Sequence, residues 1–446
     1  MRRWVRGWIA GLAGACVCGC TTEGAGSGAD AVESESEFEF ESESESESET
    51  ETETETESET ESETETETET DIETETESES ESESESESES ESESETESET
   101  QRHPPADPLA FAAPTLVATT AGNSKTPAIA VLGDAIHVAW HDFTTSPPTL
   151  YHAVRTFSAA AFDVAPLALV PGRAVFPDLL AVGDALHLAF EATDEAGSHV
   201  VHATWRNGAW DAAVVAMDGA HPHLAVDDAG FVHVVAFDDR VPVHARLAAG
   251  TWSARDAITI AHPYVDALDL AVAGTADGVD VALATSPGET SYDLRHWVWR
   301  APAGWGPMQT VYASMNLSSD DLDVARADGR LRWAWTEQST VDPWDIPVVT
   351  LAAGELTPRV VTREKGFALS PSLVIPPDGK AIIAWVTPRE TIALSRDPFG
   401  HDVEIGGVGT AAPRLAVEAV GVTHLVFVGR DAAGVQQIWI TDNAGD

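Results

Sequence analysis

Pro127-Ala128-Ile129-Ala130-Val131, a turn at Gly133-Asp134, then Ile136-His137-Val138-Ala139-Trp140: this stretch decides the fold. Its apolar residues recur with a period of two, and its segments are short and punctuated by Gly, Pro and Asp, so it predicts strands rather than helices. The same text returns at Pro177, through Gly183 to Leu186-His187-Leu188-Ala189-Phe190. It returns again from Pro222 through Gly230 to Val232–Phe237. Looser copies run from Leu268 to Thr285 and from Leu322 to Trp335, and two more start at Pro371 and Pro413. That makes seven copies, at a period of about 40 to 50 residues, the spacing of propellers and solenoids.

Each full copy holds four strands: the Pro-led one, the His-containing one, a third such as Leu150–Arg155, and an outer fourth entered through Gly208-Ala209-Trp210 or Gly250-Thr251-Trp252. Four short strands per repeat is a propeller blade. The seventh copy ends with its third strand, Val435–Ile440, while an orphan strand, Ala110–Ala118, precedes the first copy. The fold expected is therefore an all-β, seven-bladed β-propeller of four-stranded antiparallel blades. The N-terminal strand completes the last blade, so that no long sheet edge stays open.

Outward from this domain, residues 106–446, the chain changes character. From Glu33 to Glu99 every odd position is Glu, except Asp71, and nearly every even position is Ser or Thr. Such alternation has no apolar face, and pairing two such strands would oppose carboxylates, so residues 20–105 are expected to form a disordered acidic tether. Of the 76 acidic and 24 basic residues, 36 and 4 precede Ala106, so the folded part is acidic as well. An acidic surface repels phosphate backbones, which makes nucleic acid a poor partner.

Residues 1–19 open with Arg2, Arg3 and Arg6 and continue as a short apolar run from Gly7 to Val17, the pattern of a secretory signal. The three cysteines are Cys16, Cys18 and Cys20, which leaves none for a disulfide in the domain. Val17-Cys18-Gly19-Cys20 resembles the bacterial lipobox. That resemblance implies lipidation at Cys20, with Cys16 as the alternative, and an exported protein held to the outer membrane or cell surface by its lipid.

The pattern Gly-x-x-His-hydrophobic-Ala-aromatic, followed by His-Ala and Gly-x-Trp, resembles the sialidase-like propellers with degenerate BNR (Asp-box) repeats. The box survives only as its tail, at Gly208, Gly250 and Gly304. A sialidase site implies three arginines, a Tyr nucleophile paired with Glu, and an acidic proton donor. Of Tyr151, Tyr264, Tyr292 and Tyr312 only Tyr264 lies at a first-strand entrance, and Arg173, Arg240 and Arg430 are not fixed there by any motif.

Histidines recur instead of differing: His137, His187, His233 and His424 in second strands, and His152, His202, His244 and His296 in third strands. A feature repeated blade by blade serves packing, so these are read as structural hydrogen-bonding residues. His221-Pro222-His223 places two imidazoles at alternate positions, too few for a metal site, and no cofactor is called for. Residues that differ between copies are the candidates for binding. At the ends of second strands these are His141, Asp142, Glu191, Asp238, Arg240, Glu337 and Arg430. At the entrances to first strands they are Arg173, Phe176, His262, Tyr264, Asp266, Asp320 and Asp321. Both loop sets are expected at one end of the ring, where a rigid scaffold gathers binding loops. The function expected is a surface-tethered, non-catalytic propeller for a protein or glycan ligand. The alternatives are a divergent sialidase-like glycoside hydrolase and a structural envelope component.

The anchor is open to a direct check by cell fractionation. Cys20→Ser should move the protein from the membrane to the soluble exported fraction and Cys16→Ser should not. Neither substitution moving it would remove the lipid anchor from this reading.

Overall fold

The computed structural model describes residues 107–444, apart from 259–265, 287–291, 315–316, 340–341, 343, 363 and 406–408. The signal, Cys16, Cys20 and the acidic tether lie outside the described residues.

The domain is an all-β, seven-bladed propeller of antiparallel sheets. Blade 1 is formed by Ser124–Leu132, Ala135–Asp142, Thr149–Thr156 and Asp163–Leu167 in sequence order. The first strands of blades 2 to 7 are Arg173–Val182, Ala220–Val226, Asp266–Gly274, Leu317–Ala327, Leu369–Val374 and Gly409–Val417. The second strands of the blades are the most deeply enclosed. All eight residues of Ala135–Asp142 are buried, because one blade packs on each face of the strand. This double burial explains why these strands read as near-continuous apolar runs rather than as an alternation. Blades 2, 3 and 4 split their outer strand. In each a two-residue piece carries the Trp of the Gly-x-Trp tail (Ala209–Trp210, Thr251–Trp252, Gly304–Trp305), and a second piece pairs further along the third strand.

The ring closes as the sequence predicts, although the closing strand is shorter than expected. Thr115–Ala118 pairs antiparallel with Gln436–Asp442, in the register Thr115↔Ile440 and Leu116↔Trp439. The residues before it are not a strand but run beside the C-terminus. The Ala112 N–H donates to the Asp442 carbonyl at 2.9 Å, the Thr441 hydroxyl to the Ala112 carbonyl at 2.6 Å, and the Asn443 amide to the Pro108 carbonyl at 2.7 Å. Pro114 separates the two modes, since it has no N–H for a ladder. Leu109 and Phe111 pack on the apolar cluster of blades 6 and 7, and Val117 joins the one between blades 7 and 1.

Past the strand, Thr120 fastens blade 7 to blade 1. Its N–H donates to Gln437 Oε1 at 3.0 Å, its carbonyl accepts from Gln437 Nε2 at 2.9 Å, and its hydroxyl donates to Asp142 Oδ2 at 2.7 Å. Gly122 then passes so close to the Thr144 backbone that a Cβ would overlap its nitrogen, which restricts the position to glycine.

A chain beginning at Ala121 loses the closing strand and the Thr120 clamp and bares the edge of Gln436–Asp442. It should aggregate or lose its cooperative melting transition, whereas a chain beginning at Ala106 should melt like the full protein. Equal melting curves for the two would show that the closing strand contributes nothing. In amide exchange, Leu116 and Val117 should be protected to about the same degree as Trp439.

Candidate functional site

The strand registers set which loops share an end. Ser124 pairs with Asp142 and Arg173 with Thr193, so first-strand entrances and second-strand ends lie together at one end of the propeller, as the sequence predicts. At that end every first strand is irregular: the register shifts between Lys125 and Ala128 in blade 1, between Val175 and Asp178 in blade 2, and correspondingly in the other five. In five blades the residue just before the proline is left-handed, namely Thr126 (φ 45°), Phe176 (51°), His221 (52°), Ser370 (51°) and Ala412 (50°). Side chains rarely adopt this conformation, at a cost of about 1–3 kcal/mol each, and such strain collects at binding sites.

These bulge residues differ from blade to blade, and the large ones are neighbours. Phe176 stacks on His221 with ring centroids 4.0 Å apart and 25° between planes. His141 stands edge-on to Phe176 at 5.7 Å and to Phe143 at 5.1 Å, and its Nδ1 lies 2.7 Å from the Thr126 hydroxyl. Lys125 lies over the Phe143 ring at 5.3 Å. The result is an arc across blades 1 to 3: Thr126, His141, Phe176, His221. Blades 6 and 7 offer only Ser370 and Ala412 at the same level. Within the arc His221 is 54% exposed, with buried Glu191 behind it at 4.0 Å. Burial lowers the His141 pKa to about 4, assisted by the positive charges of Lys125 and Arg173. Burial lowers that of His221 as well.

Two residues further along the first strands lies the central channel, a cavity of about 190 Å³ to which every first strand contributes. At one level, in blade order, stand Ala128, Asp178, His223, Ala271, Asp323, Ser372 and Arg414, each opposite the equivalent residue of its second strand. Three of them latch one blade to the next through the following first strand. Asp178 accepts the Leu224 N–H at 2.7 Å, Asp323 the Leu373 N–H at 2.8 Å, and the Ser372 hydroxyl oxygen the Leu415 N–H at 3.1 Å. Burial raises the Asp178 carboxyl to about 6 and also raises that of Asp323; Arg414 opposes both shifts. Burial, reinforced by Arg414 and His221, lowers the pKa of His223 to about 3.

Of the residues singled out in the sequence, His141 and Phe176 belong to the arc with Glu191 behind it, and Arg173 is exposed at the same end, where its charge lowers the pKa of His141 and His221; Asp320 and Asp321 fall within the first strand of blade 5. Asp142 is fully buried. Against the cost of burial, hydrogen bonds from Thr144, Thr120 and Ser124 hold its carboxyl below the usual range, so it clamps the loop and has no free face. Asp238 pairs with Arg255, just before the second piece of blade 3's outer strand, and Arg240 sits in the adjoining turn with φ 67°. Glu337 accepts the Tyr312 hydroxyl at 3.2 Å, and Arg430 donates to the Gly434 carbonyl within its own hairpin. None of these four is drawn into the arc. His262 and Tyr264 lie outside the described residues; Asp266 begins the first strand of blade 4, paired with Ser286. The bulge breaks the alternation expected at His221-Pro222-His223, sending His221 to the arc and His223 to the channel. The channel ring was readable only as the residue after each copy's proline, where Ala128, Asp178, His223, Ser372 and Arg414 differ while their neighbours repeat.

The repeated histidines do bond between strands. His137 meets His152 at 3.0 Å, His187 meets His202 at 2.9 Å and His233 meets His244 at 2.9 Å, each pair joining second and third strands. Tryptophans of the following blade close over them: Trp205 and Trp210 on His152, Trp252 on His202, and Trp299 and Trp305 on His244. The Gly-x-Trp tail is thus interblade packing here. His296 bonds Asp280 at 2.8 Å, and His424 bonds Glu418 at 2.6 Å beneath Phe157 of blade 1.

No family model matches the chain, and no curated protein matches it. Solved structures do, at low identity. A protein of unknown function from Dyadobacter fermentans is 9% identical over 74% of this chain and 98% of its own (TM-score 0.47). The β-propeller domain of the Trilobed protease from Pyrococcus furiosus is 10% identical over 72% and 94% (TM-score 0.45). A sialidase from Trypanosoma rangeli is 8% identical over 75% of this chain and 57% of its own (TM-score 0.40). Each is a likeness of fold alone.

The histidine pairs fix the sign of the acid response. Burial lowers the pKa of His137 and His187 to about 4, and of His152, His202 and His244 to about 3. With folded values below the unfolded 6.5, their stabilisation is present above pH 6.5 and is lost as pH falls through 6.5 toward 4. A single such group loses roughly 2 kcal/mol between pH 7 and 5. Asp178, raised, and His424, held high by Asp442 and Glu418 despite its burial, contribute stability that is lost as pH rises, so they oppose the trend but are outnumbered. The melting temperature should fall steeply below about pH 6; a flat profile from pH 7 to 4.5 would contradict neutral buried pairs.

Proposed function

We propose that the propeller is a non-catalytic binding module of an exported protein, held at the outer membrane or cell surface by a lipid on Cys20, that takes a protein or glycan ligand at the bulged end of its channel. The observation that carries this reading is the arc. Thr126, Phe176 and His221 occupy one structural position in three successive blades, are strained there, and differ from the small residues of blades 6 and 7. A half-exposed ring pair beside Lys125 and Arg173 suits a ligand with an apolar face and polar or anionic substituents. Its location on a closed, disulfide-free ring gives the arc a rigid base.

A glycan array and a panel of candidate surface proteins should be probed with residues 106–446, beside the variants Phe176→Ala and His221→Ala. Either variant should weaken the ligand found by about tenfold or more, the loss typical of a central aromatic contact, while keeping the melting temperature. Binding that ignores both variants would place the site elsewhere.

One observation favours a second reading, glycoside hydrolysis. Asp178 is raised to about 6 and shares the channel with Asp323, and a carboxyl that is partly protonated near neutral pH can act as a general acid. Against it, both Asp178 oxygens already accept backbone N–H groups, from Leu179 and Leu224. Turnover of a fluorogenic glycoside that Asp178→Asn abolishes would replace the binding reading with this one.

A further inference from the structure

The channel ring is polarised: the interblade latches account for Asp178 and Asp323, but not for Arg414. Counting round the seven positions, Arg414 of blade 7 stands two blades from Asp178 on one side and two blades from Asp323 on the other. The two carboxylates thus flank it symmetrically, with uncharged Ala128 and Ser372 between. The far side of the ring, between the carboxylates, is formed by His223 and Ala271.

Arg414 is exposed to the cavity. It donates a hydrogen bond to the carbonyl of its own neighbour Pro413 at 3.1 Å, and among the described residues no carboxylate lies within ion-pair distance of it. A guanidinium has five N–H donors, so most of this one faces the cavity unused. Each oxygen of Asp178 accepts one backbone N–H, from Leu179 and Leu224, which leaves a lone pair on each; Asp323 accepts those of Val324 and Leu373 and is hydrogen-bonded by the Ser372 side chain as well. Both carboxyls titrate high although Arg414 shares their ring, so a further positive charge would be welcome beside them. His223, with its pKa lowered, does not supply that charge at neutral pH.

From this juxtaposition we propose that the channel is a binding site for a compact zwitterion of the α-amino acid type, its carboxylate paired with Arg414 and its ammonium set between Asp178 and Asp323. A cavity of about 190 Å³ has the volume of roughly six waters, which suits a small amino acid and not an oligosaccharide. The opposed charges create a field across the channel that favours one orientation of a dipolar guest. The site is independent of the arc: a glycan or protein bound over Phe176 and His221 neither requires nor excludes it.

Calorimetric titration of the full chain with the twenty common α-amino acids tests the proposal. The best binder should then be compared with its methyl ester, which keeps only the ammonium, and its N-acetyl derivative, which keeps only the carboxylate. The free amino acid should bind at least about tenfold more tightly than either, as expected when one partner of an enclosed charge pair is removed. Arg414→Gln should reduce it to the level of its ester. Asp323→Asn should reduce it to the level of the N-acetyl form, and because that change touches a latch, its melting temperature is read alongside; Arg414→Gln disturbs no latch and carries the test if Asp323→Asn fails to fold. An N-acetyl form that binds as well as the parent would make this an anion site, and an ester that does so a cation site. Either result overturns the proposal, as does binding untouched by Arg414→Gln or the absence of binding by every amino acid at tens of millimolar.

Discussion

The antiparallel pairing of Thr115–Ala118 with the last strand is the constraint on which the rest of the molecule depends. A ring of blades has no centre of its own: each blade buries its faces only if it has a neighbour on both sides, and only closure gives the seventh blade its first as neighbour. What meets at that seam is consequently polar and specific as well as apolar. Thr120 ties Gln437 to Asp142, Phe157 stacks on His424 at 6.1 Å, and Arg155 reaches Asp442 at 3.7 Å. With the seam made, the channel has a fixed radius, and seven first strands hold their inward residues at fixed spacing round one axis.

Repetition and its failure separate scaffold from site. The histidine pairs under the tryptophans of the next blade recur through blades 1 to 3 because each interface poses the same packing problem and meets it with the same residues. In blade 5 the equivalent place is taken by Arg332, paired with Asp397 at 3.2 Å beside Phe399, so the position tolerates other chemistry where the neighbour supplies it. The bulge and ring positions behave differently. The register shift recurs in every blade there while the side chains vary, the seven ring positions carrying five residue types, and binding is one ordinary reason for a repeated backbone to vary what it presents to one space.

Charge follows the same division. The folded part is acidic over its whole length, yet Lys125, Arg173 and Arg414 all stand at or just inside one end of the channel. Cations set against an acidic background make a local well for negative groups, and the two high-titrating carboxyls beneath make one for positive groups. The first depends on loops and the second on innermost strands, so the two can change separately.

By itself the sequence determined the blade count, the four-strand grammar, the closing strand and the end at which the loops gather, because all of these rest on local periodicity and on counting strands. It also separated packing histidines from candidates, since a repeated residue declares itself in one chain. Of the binding candidates it marked, His141, Phe176, Glu191 and Arg173 fall at the arc, and Asp142 lies in the clamp beside it. The tertiary structure alone decided that Asp142 has no free face, because Thr120 reaches it from 22 residues away. It alone put Phe176 against His221 and set Arg414 between Asp178 and Asp323. Those residues stand in different blades, tens to hundreds of positions apart, and a period-two pattern says which face of a strand a residue occupies but not which residue of another blade shares its level. That level is set by the pre-proline bulge, a backbone conformation that Thr, Phe, His, Ser and Ala adopt here under the constraint of the ring and that none of them prefers on its own.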